Sequence, residues 1–223
     1  MEVGIALNNR KITVRAVFGL IAIVAQVICA VYNLFQQNYI IMLECLIGVV
    51  LVIAPGLIDK KLKLELPSFL YIIYFIFIFA AIFLGSGLGF YSKIPRWDDV
   101  LHSLSGALLA VLGFAIVMLY NKRSKNLQGT VSAGFMAVFA FCFALAVGAI
   151  WEIYEYTGDG LMGMSMQRFL AEDGSGLIGR AALYDTMKDI IVDTLSALTT
   201  SIVGGVLMSK RRKNNHNEEA GEN

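Results

Sequence analysis

The sequence predicts an all-α integral membrane protein, a bundle of six transmembrane helices with both termini in the cytoplasm. Three observations carry that prediction. Hydrophobic residues make up 57% of the 223-residue chain and charged residues only 16%, against about 25% charged in soluble domains. Six stretches (13–35, 39–58, 67–90, 97–120, 129–157 and 182–208) are each apolar over the roughly 20 residues needed to cross about 30 Å of hydrocarbon. Thirteen of the 18 Lys and Arg residues fall into four clusters: Arg10, Lys11, Arg15; Lys60, Lys61, Lys63; Lys122, Arg123, Lys125; and Lys210, Arg211, Arg212, Lys213. These clusters occupy the N-terminus, every second loop and the C-terminus, and the positive-inside rule assigns them to the cytoplasm.

The first stretch follows three basic residues and so imitates a secretory signal. Its apolar run over 13–35 exceeds an h-region of about 7–15 residues, and no small-x-small cleavage site follows. Ile28 before Cys29 is too bulky for lipoprotein processing, so the stretch reads as a retained helix. The loop Gln36-Gln37-Asn38 carries no charge. Pro55-Gly56 disturbs the end of the second helix, and Pro67 opens the third where a missing N–H costs nothing. The fifth is long for a single crossing, which predicts protrusion or tilt. Residues 1–209 read as one transmembrane domain and 210–223 as a polar, disordered cytoplasmic tail in which His216 is solvated. The outer segment 158–181 mixes Leu161, Met162, Met164, Met166, Phe169 and Leu170 with Asp159, Glu172, Asp173 and glycines. It reads equally as an interfacial half-helix over the bundle or as an exposed loop.

Several function classes drop out. A net charge of +1 with segregated charges and no basic patch of interleaved aromatics excludes nucleic acid as a partner. Cys29, Cys45 and Cys142 lie inside apolar runs without metal-type spacing and read as small buried hydrophobes. Membrane lipids are the solvent, and oligomeric state is not encoded in the pattern.

The chemistry-bearing residues gather at the outer ends of the last three helices. The fourth opens Trp97-Asp98-Asp99-Val100-Leu101-His102, with Asp98, His102 and Ser105 on one face. The fifth ends Trp151-Glu152-Ile153-Tyr154-Glu155-Tyr156, its glutamates three apart. The sixth carries Asp185, Asp189 and Asp193 at steps of four, extended inward by Ser196 and Thr200. At 1.5 Å per residue, Asp193 sits about 12 Å along the axis from Asp185. Plain structural roles cover part of this set. Asp98, Asp99 and Asp185 fit the first turn of a helix, where the macrodipole favours acids. Trp97, Trp151, Tyr154, Tyr156 and Tyr184 fit an aromatic belt, and Lys188 pairs with Asp185. Glu152 and Glu155 read as lying near a helix C-terminus, where acids are disfavoured, and Asp189 and Asp193 lie too far inward to cap. Intramembrane acids are costly and mark a site by default. Seven acids meet only Arg96 and Lys188, so five carboxylates must be protonated, hydrated or bound to a cation. With His102 among them the donors suit Zn²⁺, Mn²⁺ or Fe, and carboxylates alone suit Mg²⁺ or Ca²⁺.

These three segments resemble the YjdF-like family of bacterial inner-membrane proteins, a resemblance that implies a multi-pass location and no particular activity. More loosely they are similar to VanZ-like proteins, which also place an Asp-x-x-x-His at a helix start, a Glu at the next helix end, and an Asp-x-x-x-Asn/Asp before small residues. The matching positions here are Asp98 with His102, Glu152, and Asp189 with Asp193. The resemblance spans residues 97–205.

Three readings remain open. The first is an enzyme using a divalent metal ion held by His102, Glu152, Asp189 and Asp193, with Asp99 and Asp185 as secondary ligands and Glu155 or Asp98 as general base. Its substrate is a lipid or lipid-linked phosphate or ester, and 158–181 is its lid. The second is a proton- or cation-coupled carrier, and the third a non-catalytic envelope protein whose acids hold helices together.

Overall fold

The structure, a computed structural model, describes residues 2–62, 66–123, 131–171 and 173–221, with side chains placed between residues 14 and 214 of these. Lys63, Lys125, Glu172 and the side chains of Arg10, Lys11 and His216 lie outside the described residues, and so do the expectations attached to them. Among the described residues the regular elements are helical, apart from one isolated bridge between Leu170 and Gly176. They are α1 (Glu2–Phe35), α2 (Tyr39–Leu62), α3 (Ser68–Ile78), a π-helical stretch (Phe79–Gly87), α4 (Phe90–Lys93), α5 (Trp97–Arg123), α6 (Ala133–Met162) and α7 (Tyr184–Gly221). Among the described residues, six segments are long and apolar enough to cross a membrane, with α3 and the π-helical stretch together making the third. Exposed Leu20, Ile28, Val50, Val138, Ile153 and Leu195 suit helices whose solvent is lipid.

Four boundaries differ from the sequence expectation. Helix α2 runs straight through Pro55 to Leu62, because a proline deletes one backbone bond and a membrane helix tolerates that. The third span changes from α to π at Phe79, a switch in hydrogen-bond pitch that apolar composition does not encode. Helix α6 passes Thr157-Gly158 and stops only at Gly163, whose φ of 64° gives the left-handed cap and whose N–H bonds the Asp159 carbonyl. Helix α7 continues through Gly221, where the sequence reading places a disordered tail from 210. Lys, Arg, Glu and Ala in that stretch are good helix formers.

The helices group into two compact units, 1–101 and 102–223, with the division inside α5. In the first, Ala22, Val52, Tyr71, Phe75 and Ile78 form a core. Near one end the Arg15 guanidinium lies 3.3 Å over the Tyr71 ring and 3.7 Å from Asp59, a cation–π contact that joins three helices. Gln26, fully buried, packs on Gly48 and donates to the Ile78 carbonyl at the α-to-π junction.

The second unit is built on small residues. A Cβ on Gly148 of α6 would sit 2.8 Å from Asp193 Oδ2, and one on Gly205 3.0 Å from Ala137. These two approaches set α6 antiparallel to α7. On α5, a Cβ at Gly106 would meet the Asp193 carbonyl at 2.9 Å and one at Gly204 of α7 would meet Phe114 at 2.6 Å, so α5 and α7 run parallel. Ala110, Ala144 and Ala197, one from each helix, close into a buried layer, and Phe114, Val117, Met136 and Ala140 form a second layer beyond it.

Candidate functional site

On each of these helices the buried stripe changes from small apolar to acidic towards one end. On α6 it runs Ala140, Ala144, Gly148, Glu152, Glu155, Asp159. On α7 it runs Ser201, Ala197, Asp193, Asp189, Asp185. Helix α5 contributes His102, preceded one turn earlier by Asp98. With α6 antiparallel to the other two, the polar ends coincide.

His102 is the centre of this group. Its Nδ1 lies 3.2 Å from Asp193 Oδ2, and its Nε2 lies 3.9 Å from Asp189 Oδ2. Asp193 Oδ1 accepts from Ser105 Oγ at 3.2 Å. Both aspartates are buried, Asp189 to 1% exposure. Asp98, His102 and Asp189 each offer one ligand atom, and these atoms lie within 4.8 Å of one another. Ligand atoms bound to one ion at about 2 Å are separated by no more than about 4 Å, so this group could hold a metal ion after a modest inward adjustment.

The other acids take varied roles. Asp185 Oδ1 sits 3.2 Å from Lys188 Nζ and 3.6 Å from Arg168 Nη1, and Lys188 also reaches Asp189 Oδ1 at 3.7 Å. The expected Lys188–Asp185 pair is therefore present, with an unexpected second cation. Glu155 accepts from Trp151 Nε1 at 2.9 Å. Glu152 is buried at 5% exposure. Antiparallel register from Gly148–Asp193 sets it one turn outward, level with Asp189. Asp99 is half-buried. Because α6 extends to Met162, Glu152 and Glu155 stand inside the helix rather than at its C-terminus, so their expected clash with the helix dipole does not arise.

Sequence reasoning missed two acids. Asp159, assigned to the loop, is buried in α6 and accepts from the N–H groups of Met166 at 2.6 Å and Gln167 at 3.0 Å. The spacing 152, 155, 159 is one helical face and was the available signal. Glu44, five residues into α2, bonds Ser86 of the π-helical stretch; an acid inside an apolar run was its signal. The segment 163–183 forms turns rather than a half-helix among its described residues, with Gln167 Nε2 donating to Thr186 Oγ1 at 2.8 Å. Trp151, Tyr154, Tyr156 and Tyr184 are exposed, as a belt requires. Cys29 and Cys45 are buried as expected, and Cys142 is exposed instead, on an apolar span whose outer face meets lipid.

A family profile described as "Predicted membrane protein (DUF2238)" matches residues 15–210. The chain belongs to this family. Among relatives, it is 26% identical over 167 residues to the inner membrane protein YjdF of Escherichia coli, covering 69% of this chain and 72% of that one. It is 25% identical over 146 residues to a protein of Thermotoga maritima named "Uncharacterized protein", covering 66% and 67%. No solved structure matches. The YjdF-like resemblance of the three motif segments thus extends over 69% of the chain, and the match to the DUF2238 profile runs from residue 15 to residue 210. Together with six spanning helices it makes the protein a multi-pass protein of the bacterial inner membrane.

Proposed function

We propose that this DUF2238 protein is a metal-dependent membrane enzyme, open to the extracytoplasmic side, that acts on a lipid or lipid-linked phosphate or ester. The observation that carries the reading is the Asp98, His102 and Asp189 group, with His102 turned between two aspartates. One imidazole and two carboxylates form a borderline donor set suited to Zn²⁺, Mn²⁺ or Fe, and three protein ligands leave a position open, as in catalytic sites. Asp193 then takes a different role from the ligand role the spacing suggested. It holds Nδ1, which fixes the tautomer and leaves Nε2 for the ion, as carboxylates behind metal-bound histidines commonly do. Glu152, level with Asp189, is the fourth candidate ligand and Glu155 the candidate general base. Asp98 becomes a ligand rather than a base, Asp185 is committed to Lys188 and Arg168, and Asp99 stays peripheral. A bound divalent ion supplies a water of pKa lowered towards about 7. The residues around it exclude bulk water and carry the proton.

The carrier reading is less well supported. Below Asp193 the buried stripe turns apolar at the Ala110, Ala144 and Ala197 layer, all 2% exposed or less, which supports a polar group confined to one end of these helices over a route through them. The cytoplasmic placement of both termini rests on the positive-inside distribution.

The test is turnover. Protein in neutral detergent, loaded with Zn²⁺ or Mn²⁺, is incubated with bacterial polar lipids while released phosphate and fatty acid are followed. Metal-dependent product release should fall about 10²-fold or more in Glu155→Gln with metal content unchanged. Turnover indifferent to both metal and Glu155 contradicts the proposal, and pH-driven cation flux in liposomes moves the assignment to a carrier.

A further inference from the structure

The segment 166–168 is fixed over the N-terminus of α7 by contacts that the metal reading does not use. Asp159 holds the backbone N–H groups of Met166 and Gln167, and the Gln167 amide donates to Thr186. The result is Arg168 held with φ at 47°, a left-handed conformation that non-glycine residues rarely adopt. Its guanidinium reaches Asp185 Oδ1 at 3.6 Å, the same oxygen that Lys188 Nζ meets at 3.2 Å. Two cations from different segments that share one oxygen lie within about 7 Å of each other. A tetrahedral phosphate with donors at about 2.8 Å on opposite oxygens spans a gap of that order. The Arg168 side chain is 41% exposed. Lys188 also lies 3.7 Å from Asp189 Oδ1, the carboxylate that faces His102.

We propose that Arg168 and Lys188 form the recognition site for a phosphate group on the substrate, placing it beside Asp189 and the ion held there. The inference rests on the metal reading for the reaction, though not for the binding itself. Asp159 already accepts from two backbone donors, and Asp185 Oδ1 faces both cations. Arg supplies a planar fork and Lys a point charge, the pair of donors that recurs at phosphoryl groups. The phosphate comes either from a lipid headgroup or from a soluble phosphate compound.

Binding separates these cases. Full-length protein in neutral detergent, with Mn²⁺ present and its metal content measured on the same samples, is titrated calorimetrically with inorganic phosphate. Short-chain phosphatidate and short-chain phosphatidylcholine are titrated in parallel. Wild type should bind phosphate and phosphatidate saturably. Arg168→Ala and Lys188→Ala should each weaken binding at least about tenfold, the range for a hydrogen bond to a charged group. Arg168→Lys should fall between, and Arg168→Gln serves if the alanine variant does not fold. Phosphatidate binding tighter than phosphate assigns the lipid source, and equal affinity assigns the soluble one. Persistent phosphate binding in a His102→Ala protein that has lost its metal supports this inference while removing the metal reading. Absence of saturable binding by metal-loaded wild type, or affinities unchanged in Arg168→Ala and Lys188→Ala, overturns it.

Discussion

Replacing Gly148 by alanine tests the Asp193–His102 contact without touching either residue. A Cβ at 148 would stand 2.8 Å from Asp193 Oδ2 and 3.5 Å from its Cγ, about 0.6 Å inside ordinary contact with the oxygen. The α6 and α7 backbones are held close by the Gly205–Ala137 approach, so the short Asp193 side chain must yield instead. Its Oδ2 is the atom 3.2 Å from His102 Nδ1, and a displacement of that size takes the pair towards or past hydrogen-bonding distance. Loss of an orienting carboxylate behind a metal-bound histidine typically costs 10- to 100-fold in metal affinity. Fold stability should change less, because the roughly 1 kcal/mol gained by replacing a helical glycine opposes an overpacking cost of about 1–3 kcal/mol. Gly160→Ala is the control, since nothing lies within 4 Å of a Cβ there. Competition against a chelator of known affinity measures the metal constant for both variants. Wild-type affinity in Gly148→Ala, or an equal loss in Gly160→Ala, refutes the reasoning.

Further outcomes follow from the same geometry. Asp159→Ala removes two charged hydrogen bonds, worth about 1.5–3 kcal/mol each, and should speed tryptic cleavage after Arg168 at least about tenfold, with Asp159→Asn intermediate; unchanged cleavage means that Asp159 does not hold the loop. Asp173, outside the spans, is held below the ordinary carboxylate range by the Ser175 hydroxyl and then the Ser175 N–H, at 2.6 and 2.9 Å. The turn therefore gains stability above the ordinary carboxylate pKa and loses it as pH falls through the lowered value; in a ¹³C-detected titration Ser175→Ala should shift the Asp173 midpoint upward, and an unmoved midpoint contradicts that cause. Reporter fusions after Lys125 and after Lys210 should read cytoplasmic and one in 163–183 external, and an external signal from the C-terminal fusion reverses the assigned topology.

The spans and the members of the polar cluster were legible in the sequence because lipid imposes length and apolarity on a helix, and because four-residue steps put Asp185, Asp189 and Asp193 on one face. What the sequence did not disclose depends on partners across helices. Spacing alone cannot tell which nitrogen of His102 meets which aspartate; in space Asp193 stands 3.2 Å from Nδ1 and 3.2 Å from Ser105 Oγ. Two glycines flanking Asp159 resembled a helix end, but the helix continues to Gly163 and Asp159 becomes the anchor of the following loop. Arg168 stood among mixed polar and apolar residues with no periodicity to mark it, and its placement follows from Asp159 and Thr186. The π-helical stretch belongs to the same apolar run as the α-helix before it, so hydropathy does not mark the change of pitch at Phe79.

Metal content tests the central claim most directly. Protein purified in neutral detergent, without chelator and after exchange into metal-free buffer, should retain close to one equivalent of a divalent transition metal by elemental analysis. His102→Ala and Asp189→Asn should retain well under a tenth as much, while Asp185→Asn retains the wild-type amount. Asn keeps the size of each aspartate and removes its charge. In the same samples a free metal concentration of 100 times Kd should stabilise wild type by about 2.7 kcal/mol, and the two site variants should not respond. Metal-free wild type that gains no stability from added Zn²⁺ or Mn²⁺, with Asp189→Asn as stable as wild type, would contradict the account and leave the cluster as a protonated hydrogen-bonded group.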